Sequence, residues 1–379
     1  MKIRMYNVGY GDCFCLRDRK GSLLVDFGTS NSRIEGRPRK ETFDVIISDL
    51  TTIEKKNLLL THFHLDHLSG LLYMMKHRSS AYEFGKIYLP DVFGQECMDH
   101  TLVLLLLADL VKDSCLPSRQ VSLFALVEAL CQKPQKVELL SRGSVFEGKY
   151  QALWPDKDVI YQETENIYNV LQTEHRASLE KLNVFAEKLR RIVYSMTKDN
   201  QEWTDLPVLA VLEREFRQMR TGAEFSELLA WVQSQNLGLR SFKNMISIVF
   251  QNARDGELNL LFTGDVKQQH MKMIADNYDG KLPLFEHYWC IKVPHHGTQE
   301  YYYDFSEYAP ENMLISNGIH YSNSKKQSKE LRTSSQYGGL FYISDAHMYC
   351  SNCDCCDGYE NGCTCKESDI ISPAYYKDI

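Results

Sequence analysis

The chain has 379 residues, of which 44% are hydrophobic and 25% are charged, as expected for a folded globular protein. Its formal net charge of −7 argues against a protein that grips long nucleic acids over a broad basic surface. The longest purely apolar stretch, residues 102–108, is too short to cross a bilayer, and no basic segment followed by an apolar one opens the chain. We therefore expect a cytoplasmic protein without a membrane partner.

The N-terminal part of the chain predicts strands followed by helices. Residues 1–30 alternate like paired strands, with Gly9 and Gly11 in a tight turn. The polar residues 33–56 indicate a loop and a helix. The apolar run 57–61 predicts a buried strand, and apolar side chains at helical spacing predict a helix over residues 68–77.

Four metal-ligand side chains follow the strand 57–61 within six residues: His62, His64, Asp66 and His67. Alternation along the chain points His62 and His64 to the same side, and the following turn brings in the other two from another side. Two imidazoles plus a separate carboxylate–imidazole pair suit two neighbouring divalent cations better than one. A set of surface loop histidines is the alternative, but ligand-type residues at this spacing rarely arise by chance.

The middle of the chain predicts mainly helices. Residues 97–133 indicate one or two apolar helices, and residues 137–150 indicate two short strands. Three amphipathic helices are predicted between residues 179 and 232, ahead of a strand at residues 246–250. These helices either pack on the body of the protein or form a lid, a dimerisation arm or a partner-binding arm.

The His-x-His-x-Asp-His spacing resembles the signature of the metallo-β-lactamase superfamily. Gly28, after an apolar strand, and Asp265, which ends the segment 260–265, are similar to two other elements of that superfamily. Within the superfamily, three segments resemble the hydrolase domain of bacterial competence (DNA-uptake) channel proteins and their soluble relatives. These segments are residues 7–12, 153–155 and 292–298.

The resemblance implies an α/β fold, a four-layer αββα sandwich. We expect residues 1–158 and 237–348 to form this hydrolase domain, and residues 159–236 to form a helical insertion. Residues 349–379 are expected to form a Cys-rich C-terminal tail.

The resemblance also implies a ligand set for two metals. His62 and His64 would hold one metal and Asp66 and His67 the other. Asp265 is the expected bridging ligand, because a carboxylate has two oxygens to share, although a helix N-cap is the alternative.

Three later histidines complete the predicted site. His295 and His296 follow the apolar segment 290–293, and we expect one of them to ligate a metal and the other to act on the substrate. We assign His295 to a metal and His296 to catalysis together with Asp66, but the sequence does not decide between this assignment and the reverse. His320 is the candidate for the last ligand, with a loop histidine as the alternative. The intermediate histidine usual in the superfamily has no clear counterpart, because the histidines at 77, 100 and 175 lie in helical sequence.

These ligands suit zinc, manganese or iron, with zinc expected first and manganese second, and they favour a dinuclear metal-dependent hydrolase. Water bound to such a cation has a pKa of about 7, so metal-bound hydroxide is expected to attack phosphorus in a phosphodiesterase or nuclease. We expect a phosphodiester or nucleic-acid substrate, and a protein partner or self-association through residues 159–236, as in a multi-protein defence-type complex. Hydrolysis of a carboxylic ester, thioester or lactone is one alternative, and a regulatory or interaction subunit is another.

The 12 cysteines fall into two groups. Six are scattered, several of them in apolar segments, and indicate reduced core residues. The other six lie between residues 350 and 365, where Cys350, Cys353, Cys363 and Cys365 have a plausible spacing for a structural zinc. A reduced, loosely ordered loop is the alternative.

Overall fold

The computed structural model describes residues 1–34, 36–94, 99–114, 122–133, 135–198, 206–234, 239–316, 347–350 and 376–379. The strands in these ranges are β1 (Lys2–Tyr6), β2 (Phe14–Asp18), β3 (Gly21–Val25), β4 (Arg33–Ile34), β5 (Arg37–Pro38), β6 (Lys56–Leu59), β7 (Lys86–Pro90), β8 (Lys136–Leu140), β9 (Val145–Phe146), β10 (Tyr150–Trp154), β11 (Val249–Asn252), β12 (Leu260–Phe262), β13 (Cys290–Lys292), β14 (Asn312–Ile315), β15 (His347–Cys350) and β16 (Tyr376–Asp378). The α-helices are α1 (Arg39–Thr51), α2 (Leu65–His77), α3 (Asp99–Ser114), α4 (Ser122–Cys131), α5 (Lys157–Glu174), α6 (Arg176–Ser195), α7 (Leu206–Gln218), α8 (Ala223–Ser234), α9 (Phe242–Met245) and α10 (Gln268–Ala275).

The described strands form two seven-stranded sheets and one two-stranded hairpin, β4-β5. The first large sheet has the order β16-β1-β2-β3-β6-β7-β8, and the second has the order β15-β14-β13-β12-β11-β10-β9. Strands β3, β6, β7 and β8 run parallel in the first sheet, and β12 to β15 run parallel in the second. In each sheet these parallel strands therefore end at one common edge.

The two large sheets pack face to face through a hydrophobic cluster. Alternate residues of a strand point to opposite faces, so Leu260 and Phe262 of β12 lie between the sheets while Leu261 faces the outer helices. Phe14 of β2 meets Phe262 edge to face, with 5.5 Å between the ring centroids. This contact joins the N-terminal sheet to the C-terminal one.

Helices cover the outer faces of both sheets. Phe43 of α1 and Leu68 of α2 are buried in the same cluster as Leu58 of the first sheet. Met271 of α10 is buried in that cluster with Leu261 of the second sheet. The prediction of a four-layer αββα sandwich is confirmed.

The described part of residues 159–236 is helical and packs on the body of the protein. Leu182 and Leu189 of α6 are fully buried, and α6 contacts α3. Phe216 of α7 packs on Phe124 of α4, with 5.0 Å between the ring centroids. The sequence left this packing open as one of several alternatives. A separate insertion domain and a partner-binding role both stay predictions.

Two elements begin at other residues than the sequence indicates. Helix α2 begins at Leu65, so Asp66 and His67 lie in its first turn rather than before the helix. Strand β11 begins at Val249, because the preceding residues form the short helix α9, a turn at Ile246 and two residues without regular structure.

Other predictions lie outside the described residues. His320 is one of them, and so are three of the four cysteines of the expected zinc site, Cys353, Cys363 and Cys365. In the part of the chain that the structure describes, no helix is both long enough and apolar enough to cross a membrane.

Candidate metal centre

The candidate site lies where strands of both sheets end. His62 follows β6, and Asp26 follows the neighbouring parallel strand β3. In the second sheet, Asp265 follows β12, and His295 and His296 follow the parallel strand β13. The carboxyl ends of parallel strands share one edge, so residues far apart in sequence converge there.

A close backbone contact holds two of these loops together. The Phe27 N–H donates a hydrogen bond of 2.8 Å to the carbonyl oxygen of His67. A Cβ at Gly28 would lie 2.6 Å from the backbone nitrogen of Leu68, closer than real atoms approach. Only glycine therefore allows the chain after β3 to lie against the start of α2.

One carboxylate oxygen, Asp265 Oδ2, lies at the centre of the cluster. It is 3.1 Å from His67 Nε2 and 3.7 Å from His62 Nε2. It is also 3.5 Å from His296 Nε2 and 3.8 Å from His295 Nε2. Four imidazoles from two separate loops thus face a single oxygen of a third loop.

His64 and Asp66 complete the cluster on its more open side. His64 Nδ1 lies 3.0 Å from His62 Nε2, and Asp66 Oδ2 lies 3.5 Å from His296 Nε2. The side chains of Asp66 and His295 are 16% and 14% exposed, whereas those of His62 and His296 are fully buried. The site therefore opens beside Asp66 and His295.

Two buried carboxylates hold imidazole rings from behind. Asp26 Oδ2 lies 2.8 Å from His67 Nδ1, and Asp12 Oδ1 lies 3.1 Å from His296 Nδ1. Asp26 also accepts hydrogen bonds from the backbone N–H and the hydroxyl of Thr61, at 2.8 and 2.7 Å. A carboxylate on Nδ1 fixes the tautomer and orientation of a histidine, which leaves its Nε2 lone pair for a cation.

A buried lysine balances part of the negative charge. Lys292 Nζ lies 2.5 Å from Asp12 Oδ2 and 3.5 Å from Asp265 Oδ1. It also donates a hydrogen bond of 2.9 Å to the carbonyl oxygen of Gly264. Burial alone would lower the pKa of Lys292, but the two aspartates raise it, so the ammonium stays charged.

Asp12 lies behind the imidazole of His296, on the side away from the Asp265 carboxylate. Ligand-type atoms of Asp12, His67, Asp265 and His296 all lie within 4.8 Å of one another, and all four residues are buried. The Asp12 Oδ1 atom, however, meets the imidazole of His296 and accepts from the Ser316 hydroxyl, while Oδ2 is paired with the buried lysine. Protein donors thus occupy both oxygens, and we place Asp12 behind the ligands.

The two adjacent histidines have an unusual backbone. His295 and His296 have φ values of 46° and 57°, and Gly297 follows with a φ of 75°. Non-glycine residues rarely adopt this left-handed conformation, and such strain concentrates at functional sites. The sharp turn buries the ring of His296 and stacks the ring of His295 on Tyr301, with 3.9 Å between the centroids.

The electrostatics of the cluster shift several pKa values. Burial alone would lower the pKa of both His67 and His296. Asp265 and Asp26 nevertheless raise the pKa of His67 above its ordinary value. Asp265 and Asp12 raise the pKa of His296 to about 9. Burial lowers the pKa of His62, and it lowers that of His295 to about 4. Burial would raise the pKa of Asp265, but His67 and its neighbours hold it well below the ordinary value. The cluster therefore attracts positive charge, and a cation bound here would replace protons.

The donor set fits divalent cations. His296 Nε2 and Asp265 Oδ1 are buried, and neither has a hydrogen-bond partner among the described residues. Such an atom requires completion by another group. Imidazole and carboxylate donors without cysteine are typical of zinc and manganese. The candidate ligands are His62 and His64 on one side and Asp66, His67 and His296 on the other, with Asp265 between them.

The structure brings together the predicted site residues that it describes: His62, His64, Asp66, His67, Asp265, His295 and His296. The role of each one stays a prediction, as does that of His320 outside the described residues. Asp12, Asp26 and Lys292 also belong to the cluster, but they were not predicted as site residues. An aspartate that directly follows the apolar run 23–25 is the signal that could have revealed Asp26.

The histidines that the sequence analysis set aside contact aromatic rings instead of the cluster. His77 packs on Tyr73, and His100 stacks on Tyr168 with 3.7 Å between the ring centroids. His175 packs on Trp231 in the helical region.

A match to a known protein family agrees with this site. A family model described as the metallo-beta-lactamase superfamily matches residues 6–81, the segment that carries Asp12, Asp26 and the His62–His67 motif. A search of curated proteins found no match to the chain. The family match and the two-sheet sandwich support the superfamily, and the buried donor cluster supports a metal-dependent hydrolase.

Proposed function

We propose that the protein is a dinuclear metal-dependent phosphodiesterase or nuclease. The observation that carries this proposal is the convergence of four imidazoles on Asp265 Oδ2, at 3.1 to 3.8 Å. An oxygen that is surrounded by imidazoles from two loops is suited to lie between two neighbouring cations.

When bound, two such cations would lower the pKa of a water molecule from about 15.7 to about 7 and would offset negative charge on the attacked ester. The protein's own groups provide the orientation. Asp26 and Asp12 hold the rings of His67 and His296 with Nε2 toward the cluster. The Lys292 ammonium keeps Asp12 and Asp265 ionised.

The two adjacent histidines differ in exposure, and we assign them different roles. The sequence places His295 on a metal and His296 in catalysis but leaves the reverse open. The buried Nε2 of His296, next to Asp66 and Asp265, favours ligation instead. His295 lies at the opening, and its lowered pKa of about 4 keeps the ring neutral at pH 7. It is thus placed to contact a phosphoryl or leaving oxygen.

A phosphodiester substrate is supported by the resemblance of residues 7–12 and 292–298 to the hydrolase domain of competence proteins. These two segments meet in the structure, where Asp12 contacts both Lys292 and His296. The net charge of −7 favours a substrate held locally at the opening over a long duplex bound along the surface.

Alanine substitutions test the proposed chemistry. With added zinc or manganese, the wild-type protein should hydrolyse bis-p-nitrophenyl phosphate. Asp265→Ala and Asp66→Ala should each abolish this activity. Asp279→Ala is the matched control, because Asp279 pairs with Arg142 outside the cluster and should keep full activity. Full activity in Asp265→Ala would overturn the mechanism.

A substrate panel tests the specificity. Single-stranded, double-stranded and cyclic nucleotide substrates should be compared with a lactone and a thioester under the same metal conditions. Cleavage of the lactone or thioester alone would keep the metal-dependent hydrolase and reject the phosphodiesterase.

A further inference from the structure

Residues 243–248, here called the connecting segment, join the helical region to β11. Every residue of this segment is at most 3% exposed, although Lys243, Asn244 and Ser247 are polar. A buried polar group is destabilising unless it forms hydrogen bonds. The hydrogen-bond partners of these three side chains therefore indicate which parts of the protein the segment holds together.

The connecting segment bonds to two loops that carry candidate ligands. The Ser247 hydroxyl accepts a hydrogen bond of 3.1 Å from the backbone N–H of Asp265. The Ile248 N–H donates to the carbonyl oxygen of Thr61 at 2.9 Å, directly before His62. The segment therefore spans from the bridging carboxylate to the metal motif.

A third bond reaches the loop of the adjacent histidines. Asn244 Nδ2 donates a hydrogen bond of 2.9 Å to the Tyr301 hydroxyl. The Tyr301 ring stacks on His295 at an interplanar angle of 14°. Asn244 thereby fixes the ring that supports the imidazole at the opening.

The Lys243 side chain adds a buried ion pair beneath the metal motif. Its ammonium pairs with Asp109 of α3 and lies 3.5 Å from the carbonyl oxygen of Phe63, between His62 and His64. A buried ion pair is on average no more stabilising than an apolar pair of the same volume. The ion pair is therefore better explained by its contact with the backbone of the metal motif, which it holds in place, than by a gain in stability.

We propose that Ser247 and Asn244 are positioning residues for the metal centre. Ser247 orients the loop of Asp265, and Asn244, through Tyr301 and the ring of His295, orients the turn that carries the candidate ligand His296. This inference rests on the proposed metal site, but it requires no particular substrate. Groups behind the ligands commonly change metal affinity by about 10- to 100-fold when they are removed. If the two residues had a purely structural role, replacing them would lower the stability of the protein and leave the environment of the cation unchanged.

Cobalt substitution separates these two roles. The purified full chain is titrated with Co²⁺ against a chelator, and its visible absorption spectrum is recorded. Ser247→Ala and Asn244→Ala should each weaken Co²⁺ binding by about 10-fold or more and shift the spectrum. Tyr301→Phe keeps the ring stacked on His295 but removes the acceptor of Asn244, so it should reproduce the Asn244→Ala shift. The Asn244→Ala/Tyr301→Phe double variant should add little to either single change.

Two buried polar residues outside the site provide matched controls. Ser178 bonds to the carbonyl oxygen of Glu224, and Asn259 bonds to that of His287. Ser178→Ala and Asn259→Ala should lower the unfolding midpoint by a similar amount but leave Co²⁺ affinity and spectrum unchanged.

The outcomes distinguish the inference from the proposed function. If the wild-type protein binds no Co²⁺, the metal centre itself is rejected, and the positioning roles with it. If the wild-type protein binds Co²⁺ and the folded Ser247, Asn244 and Tyr301 variants bind it equally well with the same spectrum, only the positioning roles are overturned. Tyr301→Phe keeps the test decisive if the alanine variants do not fold, because the change is small and at a residue that is 9% exposed.

Discussion

Among single residues, the buried carboxylate of Asp26 has a large effect on the geometry of the site, because it holds a candidate ligand in place. It is fully buried, it is not a ligand candidate itself, and it bonds to both His67 and Thr61. The alternative orientation of the His67 ring would turn Nε2 away from Asp265. The ligand geometry therefore depends on a residue behind the ligands.

Replacing Asp26 by Asn removes the charge and keeps the shape. We expect Asp26→Asn to weaken zinc binding by about 10- to 100-fold, because His67 loses the partner that fixes its tautomer. Chelator competition followed by metal analysis measures this. Asp18→Asn, which affects an ion pair with Lys149 and two backbone hydrogen bonds in the β2–β3 turn, all outside the cluster, should bind zinc like the wild type. Equal affinities for the Asp26 and Asp18 variants would contradict the orienting role.

A second residue-scale prediction concerns pH and stability. Burial alone would raise the pKa of the Asp49 carboxyl, but the Tyr6 hydroxyl at 2.5 Å and the guanidinium groups of Arg4 and Arg17 hold it below its ordinary value. The folded state therefore favours the ionised carboxylate. The resulting stability is present above the unfolded pKa of about 3.9 and is lost as the pH falls toward the lower folded pKa.

Urea unfolding of Asp49→Asn at several pH values tests this linkage. At pH 7 the variant should be less stable than the wild type by about 1 to 3 kcal/mol, as for a lost hydrogen-bond partner of charged groups. The difference should shrink as the pH is lowered below about 4, because the Asp49 carboxyl of the unfolded wild-type chain then takes up a proton before that of the folded protein. A difference that stays constant from pH 7 to pH 3 would refute the assigned cause.

At the scale of elements, the sequence predicts what periodicity and motif spacing determine. The apolar run before His62 is strand β6, and the heptad-like spacing of Leu182 and Leu189 is in helix α6. Contacts between distant residues leave no such pattern. The pairing of Asp12 with His296 joins positions 284 residues apart, and the left-handed backbone of His295 follows from the loop's surroundings rather than from its composition.

The boundaries of helices and strands also depend on tertiary contacts that the sequence does not reveal. The segment 246–250 has the composition of a strand, but its first three residues lie outside β11. The Ser247 side chain and the Ile248 N–H bond to the site loops instead of to a neighbouring strand. Hydrogen bonds to the loops of the candidate site thus override the local strand propensity of these residues.

The helices of residues 159–236 lead to a stability prediction. Phe216 of α7 is fully buried between Phe124 of α4 and Phe185 of α6. Phe216→Ala should destabilise the protein by about 3 to 5 kcal/mol, as is usual for a truncated core phenylalanine. Val211→Ala, at a position of the same helix that is 40% exposed, should cost far less. Urea unfolding of both variants measures the difference, and equal small losses would indicate that α7 is not docked on the body.

At the scale of the whole molecule, the metal centre joins the two sheets. The first sheet and its loops supply Asp26, His62 and His67, and the second supplies Asp265 and His296. The ligand-type atoms of the two sheets meet at 3.1 Å between His67 and Asp265. Neither sheet holds a complete site alone, so a bound cation would stabilise their association as well as take part in chemistry.

This arrangement predicts a thermal stabilisation by metal that depends on the bridging position. A ligand that binds only the folded state adds about 2.7 kcal/mol at a free concentration 100-fold above its Kd. Zinc or manganese should therefore raise the Tm of the metal-free protein, with saturation at about two equivalents if both cations are held as proposed. Asp265→Ala should abolish most of this rise, because it removes the oxygen shared by both halves of the cluster. Asp279→Ala should lower the Tm slightly in the metal-free state and keep the full metal-dependent rise, because its Arg142 pair lies outside the cluster. Saturation at one equivalent would reduce the proposed centre to a single cation, and an equal rise in Asp265→Ala would show that the metal binds somewhere other than between the sheets.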